Sequence, residues 1–316
     1  MQIKQNTPKA IIFILIGMTV FAFQDAFIKD ISSQLNLFMI YFFRSLFGII
    51  LLSIILIYRK EKIILKTNYP FLTILRGILF FIGFTLYYFS LSKLSLALAI
   101  TLFFVSPFFI TILSVIFLNE KIGIRRWGAL IIGFIGVYLV MDPDFKDFNI
   151  YSLFPVFCAL AYASTMIIQK ITSDKDNLFS QTYHLYFSAL IFSIIIGSLI
   201  YFFDFSYYNN SDLKFIVRDW AIDSLYIFFI LILIGLITVI GFLSIFEAYR
   251  IGSPPSIAPF EYVIIIWGLF LSWLIWDESL NKQGYIGLLL IISAGIYSFI
   301  RENKKDNFVT LDKPIR

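Results

Sequence analysis

Five ionisable side chains lie within long apolar stretches of the sequence: Asp25, Arg44, Arg76, Glu247 and Glu261. An ionised group inside a membrane is costly, so each of these residues requires a physical reason. A buried carboxylate can carry protons or bind an amine, and a buried arginine can bind an anionic group such as a carboxylate. These five residues are therefore the candidates for substrate binding or for coupling to an ion.

Depth along the predicted helices suggests which of these charges meet. Arg76 is at about the same depth as Glu261 and Glu247, and Asp25 is at about the same depth as Arg44. These depths allow a buried pair of Arg76 with Glu261 or Glu247, and another of Asp25 with Arg44. Either pair could contact substrate, or it could be a gate or a helix staple that never does. For Asp25 and Arg44 the structural role is favoured, because a long cation near an interface can extend to water.

Prolines and aromatic residues supply a second set of candidates. Pro107 and Pro259 lie within predicted spans, and a proline removes a helical hydrogen bond and can kink the helix. Interrupted helices near the bilayer midplane often form transporter sites. Tyr87, Tyr262 and Trp267 are placed to line a cavity, where their rings could stack on a flat substrate. Static kinks and ordinary packing are the alternative roles.

Sequence motifs for several enzyme classes are absent. The chain has no HExxH zinc motif, no GxSxG elbow and no P-loop. With one histidine (His184) and one cysteine (Cys158), a metal site is not expected. We predict that the chain is not an enzyme, needs no cofactor and does not use ATP directly. Cys158 is expected to be a small core residue.

The composition identifies the medium in which these residues act. Of 316 residues, 60% are hydrophobic and only 14% are charged. Soluble domains are about 45–50% apolar and about 25% charged. This excess excludes a soluble enzyme and a nucleic-acid-binding protein, and it predicts an all-α protein that crosses a bilayer repeatedly, since helices satisfy their own backbone in lipid.

Ten apolar runs have about the length needed to span the hydrocarbon core. They lie at 10–29, 36–57, 69–91, 95–118, 125–141, 150–169, 180–203, 225–248, 255–276 and 284–300. With the N-terminus inside, 17 of the 25 Lys and Arg residues fall on the cytoplasmic side and six on the other, while Arg44 and Arg76 lie within spans. Positive charges collect in cytoplasmic loops. The tally predicts ten spans with both termini in the cytoplasm.

An internal repeat divides the spans into two groups of five. Glu120 aligns with Glu278, and after one extra residue Gly128 aligns with Gly287 and Gly136 with Gly295. Because five is odd, the two halves must have opposite topology, which is typical of transporters with a central site. We predict a first five-helix repeat at 1–145, a second at 146–303 and a cytoplasmic tail at 304–316.

The sequence resembles the EamA type of the drug/metabolite transporter superfamily. The resemblance rests on RSLFG at 44–48, LRG at 75–77, the stretch from LALAITLFF to VYLVMDP at 96–143, and AYRIGSPPSIAPFEY to SWLIWDE at 248–278. It covers residues 10–300. It implies secondary transport of a small organic metabolite through a cavity lined by spans 1, 3, 4, 6, 8 and 9. Some members export amino acids, and others take up S-adenosylmethionine, riboflavin or nucleotide sugars.

Together these features predict a secondary active transporter of the bacterial inner membrane that works by alternating access. Proton coupling or exchange would drive an amino acid or a derivative that bears a carboxylate. The alternative substrate is a larger nucleoside-like or aromatic metabolite, of the S-adenosylmethionine or riboflavin type. A membrane-embedded enzyme or a channel is the alternative class. The expected partners are the substrate and the lipid bilayer, without nucleic acid, and a homodimer is left open.

Overall fold

The computed structural model describes residues 6–120, 123–141, 150–203, 213–222, 224–277, 282–290, 292–294 and 297. Within these ranges the regular secondary structure is helical, with no β-strand. The predicted tail, 304–316, lies outside them. The helices are α1 (Thr7–Ile31), α2 (Leu37–Tyr58), α3 (Pro70–Leu91), α4 (Leu96–Phe103), α5 (Ser106–Leu118), α6 (Ile124–Met141), α7 (Leu153–Thr172), α8 (Leu178–Phe202), α9 (Lys214–Val217), α10 (Leu225–Ile251), α11 (Pro254–Ile257) and α12 (Val263–Trp276).

Eight helical segments are long and apolar enough to cross a membrane. They include α4 with α5, and α11 with α12, each pair counted as one segment. They correspond to eight of the ten predicted spans. The predicted fifth span is α6, and the predicted tenth is represented by helical residues at 282–290 and 292–294. The protein is therefore an all-helical, multi-span membrane protein.

Two spans are interrupted, and the interruptions occupy corresponding places in the two halves. The fourth span, predicted as one continuous helix, is interrupted by a turn at residues 104–105. Pro107 is the second residue of α5, the helix that follows this turn. The ninth contains a 3₁₀ turn, Ala258–Tyr262, which includes Pro259. A proline at the start of a helical segment costs no hydrogen bond, because the first amides have no intrahelical partner. Each break leaves irregular backbone inside the bundle.

The ends of these two spans match even more closely. Asn119 follows α5 with φ 53° and ψ 32°, and Asp277 follows α12 with φ 55° and ψ 21°. Both residues are in the left-handed region, which Asn and Asp adopt more readily than most residues. They precede Glu120 and Glu278, the acidic residues that align in the repeat. The backbone therefore repeats the pattern on which the sequence alignment was based.

A second repeated signal was missed in the sequence. The letters NLF open both α2 and α8, at 36–38 and 177–179. Asn36 accepts hydrogen bonds from the amides of Phe38 and Met39, and Asn177 accepts one from the amide of Ser180. Both residues are N-caps, which satisfy amides that would otherwise lack partners.

The two halves are not separate bodies, because helices of the first pack on helices of the second. The main contacts join α1 to α10, α3 to α7, and α2 to α8. Gly17 permits a close approach of α1 to α10, since a Cβ there would lie 2.5 Å from Ile245 Cγ1 and 3.2 Å from the Gly241 carbonyl oxygen. Gly83 similarly brings α3 against α7 beside Cys158, which is fully buried.

Candidate substrate-binding site

A cavity lies between the two halves, bounded by α1, α3, α4, α7, α10 and α12. These helices belong to spans 1, 3, 4, 6, 8 and 9, the set that the resemblance implies. The cavity holds about 510 Å³ of empty space, a figure that includes the open solvent at its mouth. Aromatic rings form most of its wall, and among its described lining residues Asp25 carries the only formal charge. The lining residues are Met18, Phe21, Asp25, Phe80, Phe84, Tyr87, Tyr88, Phe103, Tyr162, Met166, Phe242, Ile245 and Ile264.

Asp25 reaches the cavity from α1 and is held by a neighbour on α3. The Tyr87 hydroxyl donates a hydrogen bond of 2.8 Å to Asp25 Oδ2. Within the described part of the chain, no other group donates to this carboxylate. A carboxylate can accept about four hydrogen bonds. Asp25 is 5% exposed, so its remaining acceptor capacity is available mainly to an occupant of the cavity.

Arg44 does not pair with Asp25 as predicted. Its Nη1 donates to the Tyr88 hydroxyl at 2.8 Å, and Gln24 Nε2 donates to the same oxygen at 2.9 Å. The guanidinium lies over the ring of Tyr41, 5.1 Å from its centroid. Arg44 is only 1% exposed. The expectation that its side chain extends to water at the membrane interface is therefore wrong. Aromatic faces and a phenol oxygen take the place of the carboxylate, as in cation–π sites.

Glu261 lies in the 3₁₀ turn of the ninth span and is fully buried. Its Oε1 accepts hydrogen bonds from Tyr162 at 2.8 Å and from Tyr249 at 2.6 Å, and its Oε2 has no partner among the described residues. Arg76 does not contact it, so the predicted pair is not formed. Tyr162 also lines the cavity, which makes that side chain a direct link between the cavity and Glu261.

Arg76 is buried at the junction of α3, α7 and α8, away from the cavity wall. Its Nη1 donates to Gln169 Oε1 and its Nη2 to the Gln181 carbonyl oxygen. The ring of Phe246 lies 5.4 Å from the guanidinium carbon. These two oxygen atoms on α7 and α8 occupy guanidinium donors of Arg76 that a carboxylate partner would otherwise have bound. Arg76 therefore links α3 to α7 and α8.

The remaining candidates lie outside the cavity wall. Glu247 pairs with Arg250, one turn further along α10, at 2.6 Å and not with Arg76. Trp267 donates from Nε1 to Thr19 Oγ1 at 3.0 Å. Tyr262 packs against Phe104 with ring centroids 5.3 Å apart. Of the ten candidates, the structure brings Asp25 and Tyr87 to the cavity and connects Glu261 to it through Tyr162.

A set of contacts, here called the loop latch, closes one end of the bundle. It joins residues 65–69, between α2 and α3, to residues 174–184, between α7 and the start of α8. Asp176 Oδ1 accepts from the Asn68 amide at 2.9 Å and from Asn68 Nδ2 at 2.8 Å, while its Oδ2 accepts from Thr67. Tyr69 donates to Asp174, and His184 Nε2 lies 2.7 Å from the Leu65 carbonyl oxygen.

Sequence reasoning missed Tyr249 and the whole loop latch. Tyr249 is one of 18 tyrosines, and nothing in its spacing distinguishes it from the others. Most of the latch residues lie in loops, where polar residues are common, and nothing in their spacing predicts that they meet. The weak signal that was present is a polar pair shortly before α3, Lys66–Thr67, and another shortly before α8, Lys175–Asp176.

Comparison with known protein families assigns the chain to a family. The model of the EamA-like transporter family matches the chain twice, at residues 8–142 and 149–300. The chain belongs to the EamA-like transporter family. The two matched stretches coincide with the two halves described above.

Three curated relatives resemble this family member over most of its length. An S-adenosylmethionine uptake transporter of Rickettsia bellii (strain RML369-C) is 28% identical, covering 89% of each chain. A riboflavin transporter of Vibrio cholerae is 26% identical over 65% of this chain and 63% of that one. A pseudopaline exporter of Pseudomonas aeruginosa is 23% identical over 87% and 90%. The protein is therefore a small-molecule transporter.

Proposed function

We propose that this transporter takes up a nucleoside-like metabolite that carries a flat aromatic group, of the S-adenosylmethionine type. The observation that carries the proposal is the cavity wall of eight aromatic rings, with Met18 and Met166 between them. Flat rings bind a purine by stacking, and flexible methionine side chains adapt to its outline.

An amino acid bound through its carboxylate, the main expectation from the sequence, is less well supported. A small amino acid has no flat group and would depend on a cation that binds its carboxylate. S-adenosylmethionine bears a carboxylate too, but its adenine can stack on the aromatic wall without a cation. Arg44 is covered by Tyr88, Arg76 is bound to Gln169 and Gln181, and neither lines the cavity. The alternative of a larger aromatic metabolite fits better, and it also fits the relatives of 28% identity named as S-adenosylmethionine uptake transporters.

The experiment is uptake by proteoliposomes that contain the purified full chain. Labelled S-adenosylmethionine should accumulate, and unlabelled S-adenosylmethionine should compete. Excess glutamate should not. Empty liposomes give the background, and loading the label inside measures efflux. Uptake that glutamate inhibits and S-adenosylmethionine does not would contradict the proposal.

Riboflavin is the second candidate, favoured by the same aromatic wall and by the relative of 26% identity named as its transporter. Riboflavin is neutral, so it makes no use of the charge on Asp25. Competition by riboflavin at low concentration, without competition by S-adenosylmethionine, would favour this candidate.

A further inference from the structure

The cavity contains one feature that a merely flat substrate would not need, the carboxylate of Asp25. We propose that Asp25 selects for a substrate with a positive charge next to its flat group, such as a sulfonium or an ammonium. This inference rests on the proposed function and specifies the charge of the substrate.

The surroundings of Asp25 are those of a cation site. Tyr87 donates to one carboxylate oxygen, and no further donor within the described residues satisfies the other. The rings of Phe84, Tyr87 and Phe103 lie near one another, with centroids 5.5 Å apart for Tyr87 and Phe103 and 6.1 Å for Phe84 and Tyr87. Aromatic faces attract cations electrostatically, and the attraction grows when water is excluded.

Arg44 is the nearby positive charge that could oppose a cationic substrate. It lies behind Tyr88, whose hydroxyl oxygen accepts from Nη1, and it does not line the cavity. No ion pair joins it to Asp25 among the described residues. A cation that enters the cavity therefore meets Asp25 directly and Arg44 only through a ring.

A structural role for Asp25 predicts a different outcome. If Asp25 served only to hold Tyr87, its loss would disturb every ligand equally. If it binds a positive charge, its loss would affect only the charged ligand. Two adenosine compounds separate these roles: S-adenosylmethionine has a sulfonium, an ammonium and a carboxylate, whereas 5′-methylthioadenosine keeps the same flat group and has none of the three. Because the Asp25 carboxylate would repel the carboxylate of the ligand, any charge-dependent gain that Asp25 gives to S-adenosylmethionine comes from the positive groups.

The test is calorimetric binding of both compounds to the purified full chain, to Asp25→Asn and to Asp30→Asn. Asp30 lies on the same helix and is exposed, so it controls for the loss of one negative charge. We expect Asp25→Asn to weaken S-adenosylmethionine about 10- to 100-fold, the effect of losing one charged interaction, and to change 5′-methylthioadenosine less than about twofold. Asp30→Asn should change neither.

The preference of the unmodified protein is a second measurement that does not depend on how the variant folds. The unmodified chain should bind S-adenosylmethionine at least about tenfold more tightly than 5′-methylthioadenosine. Equal affinity for both, or an equal loss of both in Asp25→Asn, would overturn the charge selection and leave the proposed function intact. Failure of the unmodified protein to bind either compound would refute the proposed function itself.

Discussion

At the scale of single residues, each half contributes one buried carboxylate that accepts a hydrogen bond from a tyrosine of the cavity wall. Asp25 and Tyr87 belong to the first half, and Glu261, Tyr162 and Tyr249 belong to the second. Among the described residues, neither Asp25 nor Glu261 forms an ion pair with a positively charged side chain. A lone buried carboxylate is costly, and in membrane proteins such groups often carry protons. Asp25 is proposed above to bind the substrate, so Glu261 is the candidate for coupling.

Glu261→Gln tests this coupling role. The amide oxygen can still accept from both tyrosines, so we expect the melting temperature to stay within about 3 °C of the parent, which corresponds to about 1 kcal/mol. Uptake driven by a proton gradient should be abolished in proteoliposomes, since an amide cannot take up the proton. Undiminished transport that still depends on pH would rule out the proton role.

Arg76 should behave as a structural residue. Replacing it by methionine leaves Gln169 Oε1 and the Gln181 carbonyl oxygen without their donor. We expect a loss of about 2–5 kcal/mol in unfolding free energy, from two unsatisfied buried acceptors. The protein that remains folded should bind substrate with unchanged affinity. A variant of normal stability that no longer binds would return Arg76 to the substrate site.

These residues show how far sequence reasoning extends. Their burial could be predicted, because a charged side chain within an apolar span is stable mainly when it faces the interior of the bundle. Their partners could not. Arg76 contacts Gln169 and Gln181 because of the way α3 is rotated about its axis against α7 and α8. If α3 were rotated by the angle between two successive residues, different side chains would face the guanidinium.

At the scale of helices, α1 and α10 cross closely at Gly17. Alanine there would place its Cβ 2.5 Å from Ile245 Cγ1. We expect Gly17→Ala to lower the unfolding free energy by about 1–3 kcal/mol, the usual cost of overpacking. Thermal unfolding in detergent measures it.

Gly128→Ala is the matched control. A Cβ at Gly128 on α6 meets nothing within 4 Å among the described residues. Because alanine favours helix over glycine by up to about 1 kcal/mol, this variant should be neutral or slightly more stable. Equal destabilisation by both variants would show that the α1–α10 contact is not specifically tight.

The order of the spans followed from the lengths of the apolar runs, but the interruptions within the spans did not. The fourth span was predicted as one helix through 95–118, and it pauses at 104–105. Pro107 indicated the region but not the position, because a proline tolerated at the start of a helix moves the break to the residues before it. The left-handed residues Asn119 and Asp277, which end the fourth and ninth spans, could not be predicted from hydropathy either.

At the scale of the whole molecule, the loop latch joins the first half to the second at the end predicted to face the cytoplasm. Burial raises the pKa of Asp176, but hydrogen bonds from Thr67 and Asn68 lower it by more, and the pKa lies below its ordinary value of 3.8. Because the pKa of Asp176 is lowered by folding, its ionised carboxylate stabilises the latch at pH values above 3.8. This stabilisation is lost as the pH falls through the lower pKa of the folded state. The latch should therefore be fully formed at neutral pH.

Asp176→Ala should open the latch. The Asn68 amide loses its acceptor, so its hydrogen exchange at neutral pH should rise by at least about tenfold, consistent with the loss of a charge-assisted bond. Mass-spectrometric exchange over residues 65–69 measures this. Asp174→Ala is the control, since Asp174 accepts only from the Tyr69 side chain in the same segment. Equal exchange in both variants would show that Asp176 does not hold the segment.

The burial of Cys158 against α3 has a practical consequence. The chain contains no other cysteine, and this thiol has no exposed surface. Water-soluble maleimides should therefore leave the natural protein unlabelled. A cysteine introduced at exposed Ser33 or exposed Lys62, at opposite ends of α2, would then be the sole reactive thiol. In intact cells, an impermeant reagent should label only one of these variants, and that variant identifies which end of the bundle faces outward.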